Sequence, residues 1–157
     1  MKGDTKIIEH LNTVLGNELI AINQYFLHAS MYKDWGITAL GKKEYTESID
    51  EITHADSLIE RILFLDGLPN LQKLGKLKVG NDTLEILKCD LELERESSVD
   101  LHEAIIYSEN CNDTVSREIF QGILDNEEKH IDWLETQIEL VAKVGIEDYI
   151  QGQKAPN

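Results

Sequence analysis

Glu51-Ile52-Thr53-His54 and Glu127-Glu128-Lys129-His130 decide the fold of this chain. Each follows a lone glutamate, Glu18 or Glu94, at one interval: thirty-three residues lead from 18 to 51 and from 94 to 127. Every position of the second triplet lies seventy-six residues after its counterpart in the first. Chance rarely repeats three offsets. Residues i and i+3 share a helix face, so each Glu-x-x-His sets a carboxylate beside an imidazole, which is half of a metal site. Two halves bring four carboxylates and two imidazoles, enough to neutralise two divalent cations and still leave coordination positions for an oxidant. The pattern is that of a dinuclear metal centre inside a helical bundle.

Hydrophobic periodicity assigns the same residues to the core. One stripe reads Leu11, Leu15, Glu18, Ile22, Tyr25, and a second, taken backwards, Leu65, Ile62, Leu58, His54 or Ala55, Glu51. A third reads Leu84, Leu87, Leu91, Glu94, Ser98, Leu101, Ile105, and a fourth Ile119, Ile123, Glu127, His130, Leu134, Val141. Every candidate ligand falls where an apolar residue is due. An ionised carboxylate buried without a partner is costly, and four that converge demand cations.

These stripes define an all-α chain of one domain over residues 1–157, with helices at about 4–35, 38–66, 82–111 and 113–144 and a short fifth at 146–151. The stops are Gly36, Asp66-Gly67 with Pro69 beyond, the Cys111-Asn112 boundary and Gly145. Asp82-x-x-Glu85 resembles a capping box at the third start, and Gly152 to Asn157 reads as a frayed tail. Residues 67–80 differ: Leu68, Pro69, Asn70, Leu71, Leu74 and Leu77 show no helical period. At roughly 3.3 Å each, such a segment reaches about 46 Å, the length of a helix of about 29 residues. It can cross the whole bundle, whereas the other links are short and force antiparallel neighbours. The expected topology is a four-helix bundle of two antiparallel pairs joined by a long crossover between helices 2 and 3.

Composition narrows the function classes. Net charge is −15, from 30 acidic and 15 basic residues, a balance that repels nucleic acid and attracts cations; taken alone it is also an ordinary solvated surface. No stretch approaches the roughly 18 apolar residues of a membrane span, and Met1 to His10 has no apolar signal core, so a soluble cytoplasmic protein is expected. Cys89 and Cys111 lie on one expected helix, about 33 Å apart, too far to bridge, as suits a reducing compartment.

Other residues carry weaker signals. Tyr25 lies two turns from Glu18 on the same stripe, either as core with a satisfied hydroxyl or as an electron donor beside the metals. His10, His28 and His102 lack a paired acidic spacing and read as surface or partly packed. Trp35 and Trp133 read as packing residues. Glu47 and Asp50 flank Glu51 on another face, where surface carboxylates are the default; Asp50 is kept as a further iron contact.

Gly16-Asn17-Glu18-Leu19, Ala21 to His28, Ser48 to Asp56, Arg61 to Leu65, Gly67 to Leu71 and His130 to Glu135 together resemble the bacterioferritin family over essentially the whole chain. One Glu from each of two helices and a Glu-x-x-His from each of the other two is also the general description of ferritin-like di-iron carboxylate bundles. The resemblance implies a cage of 24 subunits that oxidises ferrous iron with oxygen or hydrogen peroxide and stores the ferric mineral. It implies a di-iron cofactor site in which Glu51 and Glu127 bridge, Glu18 and His54 complete one iron, and Glu94 and His130 complete the other. It implies a short last helix at cage symmetry axes, and a small ferredoxin docking near Leu68, Pro69, Leu71 and Leu77 for iron release; those leucines otherwise only pin the loop.

Two departures qualify this picture. The family holds haem b between paired subunits through a methionine sulfur, and the matching position is Ile52, which has no donor atom. Of the two methionines, Met31 reads as a flexible core filler. A homomer is expected to bind haem weakly or not at all, and a methionine-bearing subunit in a mixed cage would restore it. Thr46 stands where some relatives have an iron-binding histidine. Rival functions are a haem-free assembly subunit of a mixed cage and a ferritin-like peroxidase or oxygenase without mineral. A DNA-protecting mini-ferritin is the weakest rival, because its sites resemble subunit-interface sites and this chain carries a full set of its own.

Overall fold

The computed structural model describes residues 1–73 and 75–154; Leu74 and the last three residues of the expected tail lie outside them. Five helices follow in order: α1 Thr5–Asp34, α2 Thr38–Phe64, α3 Thr83–Asn110, α4 Thr114–Val144 and α5 Ile146–Gln153. Three of the starts are capped by aspartate. Asp4 accepts from the Lys6 and Ile7 amides at 2.8 and 3.1 Å, Asp82 from Glu85 at 2.9 Å and Asp113 from Ser116 at 3.0 Å, each satisfying amides that the first turn leaves without intrahelical partners. The first three stops share one device, a left-handed residue after the last turn: Gly36 at φ 75°, Asp66 at 60° and Asn112 at 59°. The next amide then reaches back into the helix, as in Gly67 N–H to Ile62 O at 2.9 Å. The fifth helix runs two residues beyond the expected stop, through Gly152 to Gln153.

α1 packs along α2 and α3 along α4, with α1 against α3 uniting the pairs. The crossover travels along α1. Asn12 binds the Leu68 carbonyl and the Asn70 amide at 3.1 and 2.8 Å, Gln24 takes the Lys78 amide at 2.8 Å, and His28 takes Gly80 at 3.1 Å. Asn12 to His28 is about 24 Å of helix, so the crossover follows most of the bundle. Its pins are main-chain groups, and the Leu68 side chain stays 82% exposed. Leu68 therefore does not hold the loop down.

The interior is divided lengthwise. At one end Ile7, Leu11, Leu15, Leu58, Ile62, Leu101, Phe120 and Ile123 form an apolar plug. At the other, Tyr32, Leu40, Ile86, Leu87, Leu91 and Leu134 form a second, against which α5 lays Tyr149. Each large side chain so buried contributes about 1.5–3 kcal/mol. That apolar packing holds rigid the belt of buried acids between the plugs. No described helix is long and apolar enough to cross a membrane.

Candidate metal centre

The belt consists of the six residues of the two triplets. Glu18, Glu51, Glu94, Glu127 and His130 are buried, each at most 3% exposed, and His54 is half-buried. All four long helices contribute: Glu18 from α1, Glu51 and His54 from α2, Glu94 from α3, Glu127 and His130 from α4. The i, i+3 spacing acts as expected on α2, where His54 Nδ1 lies 3.2 Å from Glu51 Oε2 and 3.5 Å from Glu18 Oε2. Glu18, Glu51 and His54 converge closely enough that one ligand atom from each lies within 4.8 Å of the others.

The second half is assembled differently. His130 Nδ1 meets Glu94 Oε1 at 3.0 Å across helices, while Glu127 Oε1 accepts from Ser97 Oγ at 2.8 Å and its carboxyl also reaches toward Glu18. Ser97 is a contact the sequence reading missed: its third stripe used Ser98, one residue on. Tyr25 is fully buried, donates to Glu94 Oε1 and meets the His130 ring edge-on at 5.3 Å.

Burial and mutual repulsion shift the ionisation of the belt. Burial, partly offset by His54, raises the Glu18 carboxyl, and burial followed by the charges of Glu94 and Glu18 pushes Glu127 up to about 11. Burial alone would lower His54 and His130, but the carboxylates of Glu18 and Glu94 outweigh it and raise both. Asp50, half-buried, adds its charge beside His54. Both oxygens of Glu18, one each of Glu94 and Glu127, and His130 Nε2 are buried without a hydrogen-bond partner. Orphaned oxygens this deep are rare. The donor set, four carboxylates with two imidazoles, fits two divalent cations.

Three expectations need correction. His28 is fully buried, not at the surface: its ring lies 2.9 Å from Asp90 Oδ1 and 3.5 Å from Glu44 Oε1. Glu47 is also buried, with Lys43 Nζ at 3.0 Å and His130 Nδ1 at 3.7 Å. Trp35 is an exposed edge against Tyr32. The missed signal was an extension of the ligand stripes by whole turns, Asp90 one turn before Glu94 and Glu44 two turns before Glu51. Trp133, read as packing, stacks on the His130 ring at 6.2 Å and carries Lys43 Nζ at 4.9 Å on its ring.

The face of α2 around Ile52 offers no soft donor atom. Ile52 is 48% exposed and flanked by exposed Tyr45 and Ile49, none of which carries sulfur. Met31 is packed into the second apolar plug, and the Met1 amino group is tied to Phe64 O and Asp66 at the far end of α2.

Comparison with known proteins points to one family. A family model described as ferritin-like domain matches residues 8–144. A protein named bacterioferritin from Brucella melitensis biotype 1 is 47% identical over 156 residues, covering 99% of this chain and 97% of its own. One from Rhodobacter capsulatus is 46% identical over the same shares, and one from Mycolicibacterium paratuberculosis 46% over 95% and 94%.

Proposed function

The chain belongs to the bacterioferritin family within the ferritin-like domains, and on that footing we propose that it stores iron, taking up ferrous ions as substrate at the buried acid belt and oxidising them. The observation that carries the reading is the set of partnerless oxygens of Glu18, Glu94 and Glu127 beside two imidazoles. Glu18 and His54 hold one ferrous ion and Glu94 and His130 the other. Glu51 and Glu127 lie between, Glu127 turning from Ser97 to share its carboxylate. Asp50 beside His54 is a further contact for arriving iron.

Two ferrous ions give up two electrons, which dioxygen takes to become peroxide or hydrogen peroxide takes to become water. The protein supplies position and charge: the acids shed protons as cations enter, and the apolar plugs keep bulk water from the belt. Tyr25, donating to Glu94 beside His130, is placed to lend an electron and its hydroxyl proton when one is wanting. The oxidised iron passes into a cage of 24 such subunits in the cytoplasm, a small ferredoxin returning electrons for release; neither nucleic acid nor membrane is a partner in this reading.

The test is Glu127→Ala, which removes a shared carboxylate at a site whose surrounding helices are held by the plugs. Rapid oxidation of the first ferrous ions should vanish with helix content unchanged; oxidation at the parent rate would overturn the dinuclear assignment. Ile52 favours a second reading in which this chain is a haem-free subunit of a mixed cage, and native mass spectrometry of protein from its source separates it from a homomer. Activity with peroxide but no mineral would instead favour a ferritin-like peroxidase or oxygenase.

A further inference from the structure

Above the dinuclear belt the bundle buries a second acidic cluster. His28 on α1, Glu44 on α2 and Asp90 on α3 bring one polar atom each within 4.8 Å of one another, and all three side chains are buried. Spacing alone would admit a cation, but the hydrogen bonds point to a proton. The Gly80 amide donates to His28 Nε2 at 3.1 Å, so that nitrogen is an acceptor and the ring hydrogen sits on Nδ1. Nδ1 lies 2.9 Å from Asp90 Oδ1, the same oxygen that accepts from Gln24 Nε2 at 2.9 Å. His28 thus donates through Nδ1 and accepts at Nε2, with no lone pair left for a metal.

Two oxygens are left over. Glu44 Oε1 and Asp90 Oδ2 are buried and lack a hydrogen-bond donor, and Glu44 Oε1 faces the His28 ring at 3.5 Å. Among the described residues neither acid is paired with a lysine or arginine. Two carboxylates at such range cannot both stay ionised without a compensating charge. Burial, then Asp90, raises the Glu44 carboxyl well above the usual range. The titratable groups facing the pair are Tyr25, Tyr32 and His28 from α1, Glu47 from α2, Glu94 from α3 and His130 from α4.

We propose that Glu44 and Asp90 hold one proton between them in the metal-free protein and release it when cations enter the neighbouring centre, forming a proton store coupled to metal loading. The inference rests on the dinuclear reading above. Asp90 stands one turn before Glu94 and Glu44 two turns before Glu51, so cations at the belt raise the positive potential at the pair and lower its hold on the proton. The step balances simply: one carboxyl O–H bond breaks, its electron pair stays on the carboxylate, and the proton leaves. When the cations move on, a proton returns from solvent.

Glu44→Gln tests this, because an amide keeps the shape, still donates to Asp90, and has no proton to release. Zinc serves as a redox-silent probe, with zinc bound, protons released at constant pH and the infrared carbonyl band of protonated carboxyls all measured. Parent and variant should bind the same zinc, the variant releasing about one proton fewer per subunit. The metal-free parent should show a protonated-carboxyl band that the variant lacks. Equal proton release at equal zinc overturns the store. Loss of a zinc ion from the variant overturns it too, making the cluster a cation site. Absence of zinc from the belt in the parent overturns the dinuclear reading and this one together, an outcome distinct from the first. Should Glu44→Gln fail to fold, Asp90→Asn carries the same expected loss of about one proton.

Discussion

Replacing Glu127 by glutamine should flatten the pH dependence of the metal-free protein's stability. The folded carboxyl titrates at about 11 against an ordinary 4.5, because burial and then the charges of Glu94 and Glu18 oppose ionisation. Anywhere between those values the folded chain keeps a proton that the unfolded chain has lost. Stability is therefore greatest at the acid end and falls as pH rises, by about 1.4 kcal/mol per pH unit. From pH 6 to 8 that is about 3 kcal/mol for this one group, an upper figure because the side chain can swing toward water. In a domain of this size it corresponds to a Tm loss of roughly 6–12 °C. His54 and His130 act in the same direction: their folded values are raised, so their stabilisation is full below about pH 6.5 and fades as pH climbs through the folded values. Glutamine retains the acceptor for Ser97 and removes only the proton. Scanning calorimetry of chelator-treated parent and Glu127→Gln, in the same oligomeric state, should show a shallower decline for the variant by about that margin. Parallel curves for the two proteins would refute the reasoning.

Other outcomes follow from the same geometry. Ile52→Met, expressed with haem available, should acquire the low-spin spectrum of two thioether ligands that the homomeric parent lacks; a parent already showing it would contradict the assignment of Ile52 as the missing ligand. Leu68→Glu should fold and load iron normally, since the Leu68 side chain is exposed, yet release iron more slowly to reduced ferredoxin; an unchanged rate would remove this loop from the docking surface. Gly80→Ala should cost about 1–3 kcal/mol, because a Cβ there would lie 2.4 Å from the Ile86 amide nitrogen and 2.7 Å from the Glu85 carbonyl carbon. A melting temperature equal to the parent's would show that the crossover end can shift freely.

Much of this was legible in the sequence, and what was not has a physical reason. Glu18, Glu51, Glu94, Glu127 and His130 announced their burial by occupying apolar slots, and the Asp66 and Asn112 stops lay where periodicity ended. The burial of His28 is hard to read because its partners lie outside its own helix, Asp90 on α3 62 residues away and Gly80 in the crossover 52 away; only the extension of the acid stripes to Asp90 and Glu44 hints at it. Glu47 was placed on a surface because its own helix face looks outward, yet Lys43 and the neighbouring α4 cover it. Ser97 escaped because a hydroxyl one position off the stripe looks the same in sequence as one pointing to solvent, and only the approach of α4 gives it Glu127. The fifth helix was cut short at Gly152, a residue of poor helix propensity. Tyr149, buried against the second plug with its hydroxyl 2.7 Å from Gln137 Oε1, holds that helix in place.

Whether the two triplets make one dinuclear iron site is decided by anomalous diffraction at the iron edge from crystals loaded anaerobically with ferrous iron. Two peaks are expected in each subunit, about 3.5–4 Å apart, one against Glu18 and His54 and the other against Glu94 and His130, with Glu51 and Glu127 between them. A single peak, or iron only outside the bundle with the acid belt unchanged, would contradict the dinuclear site.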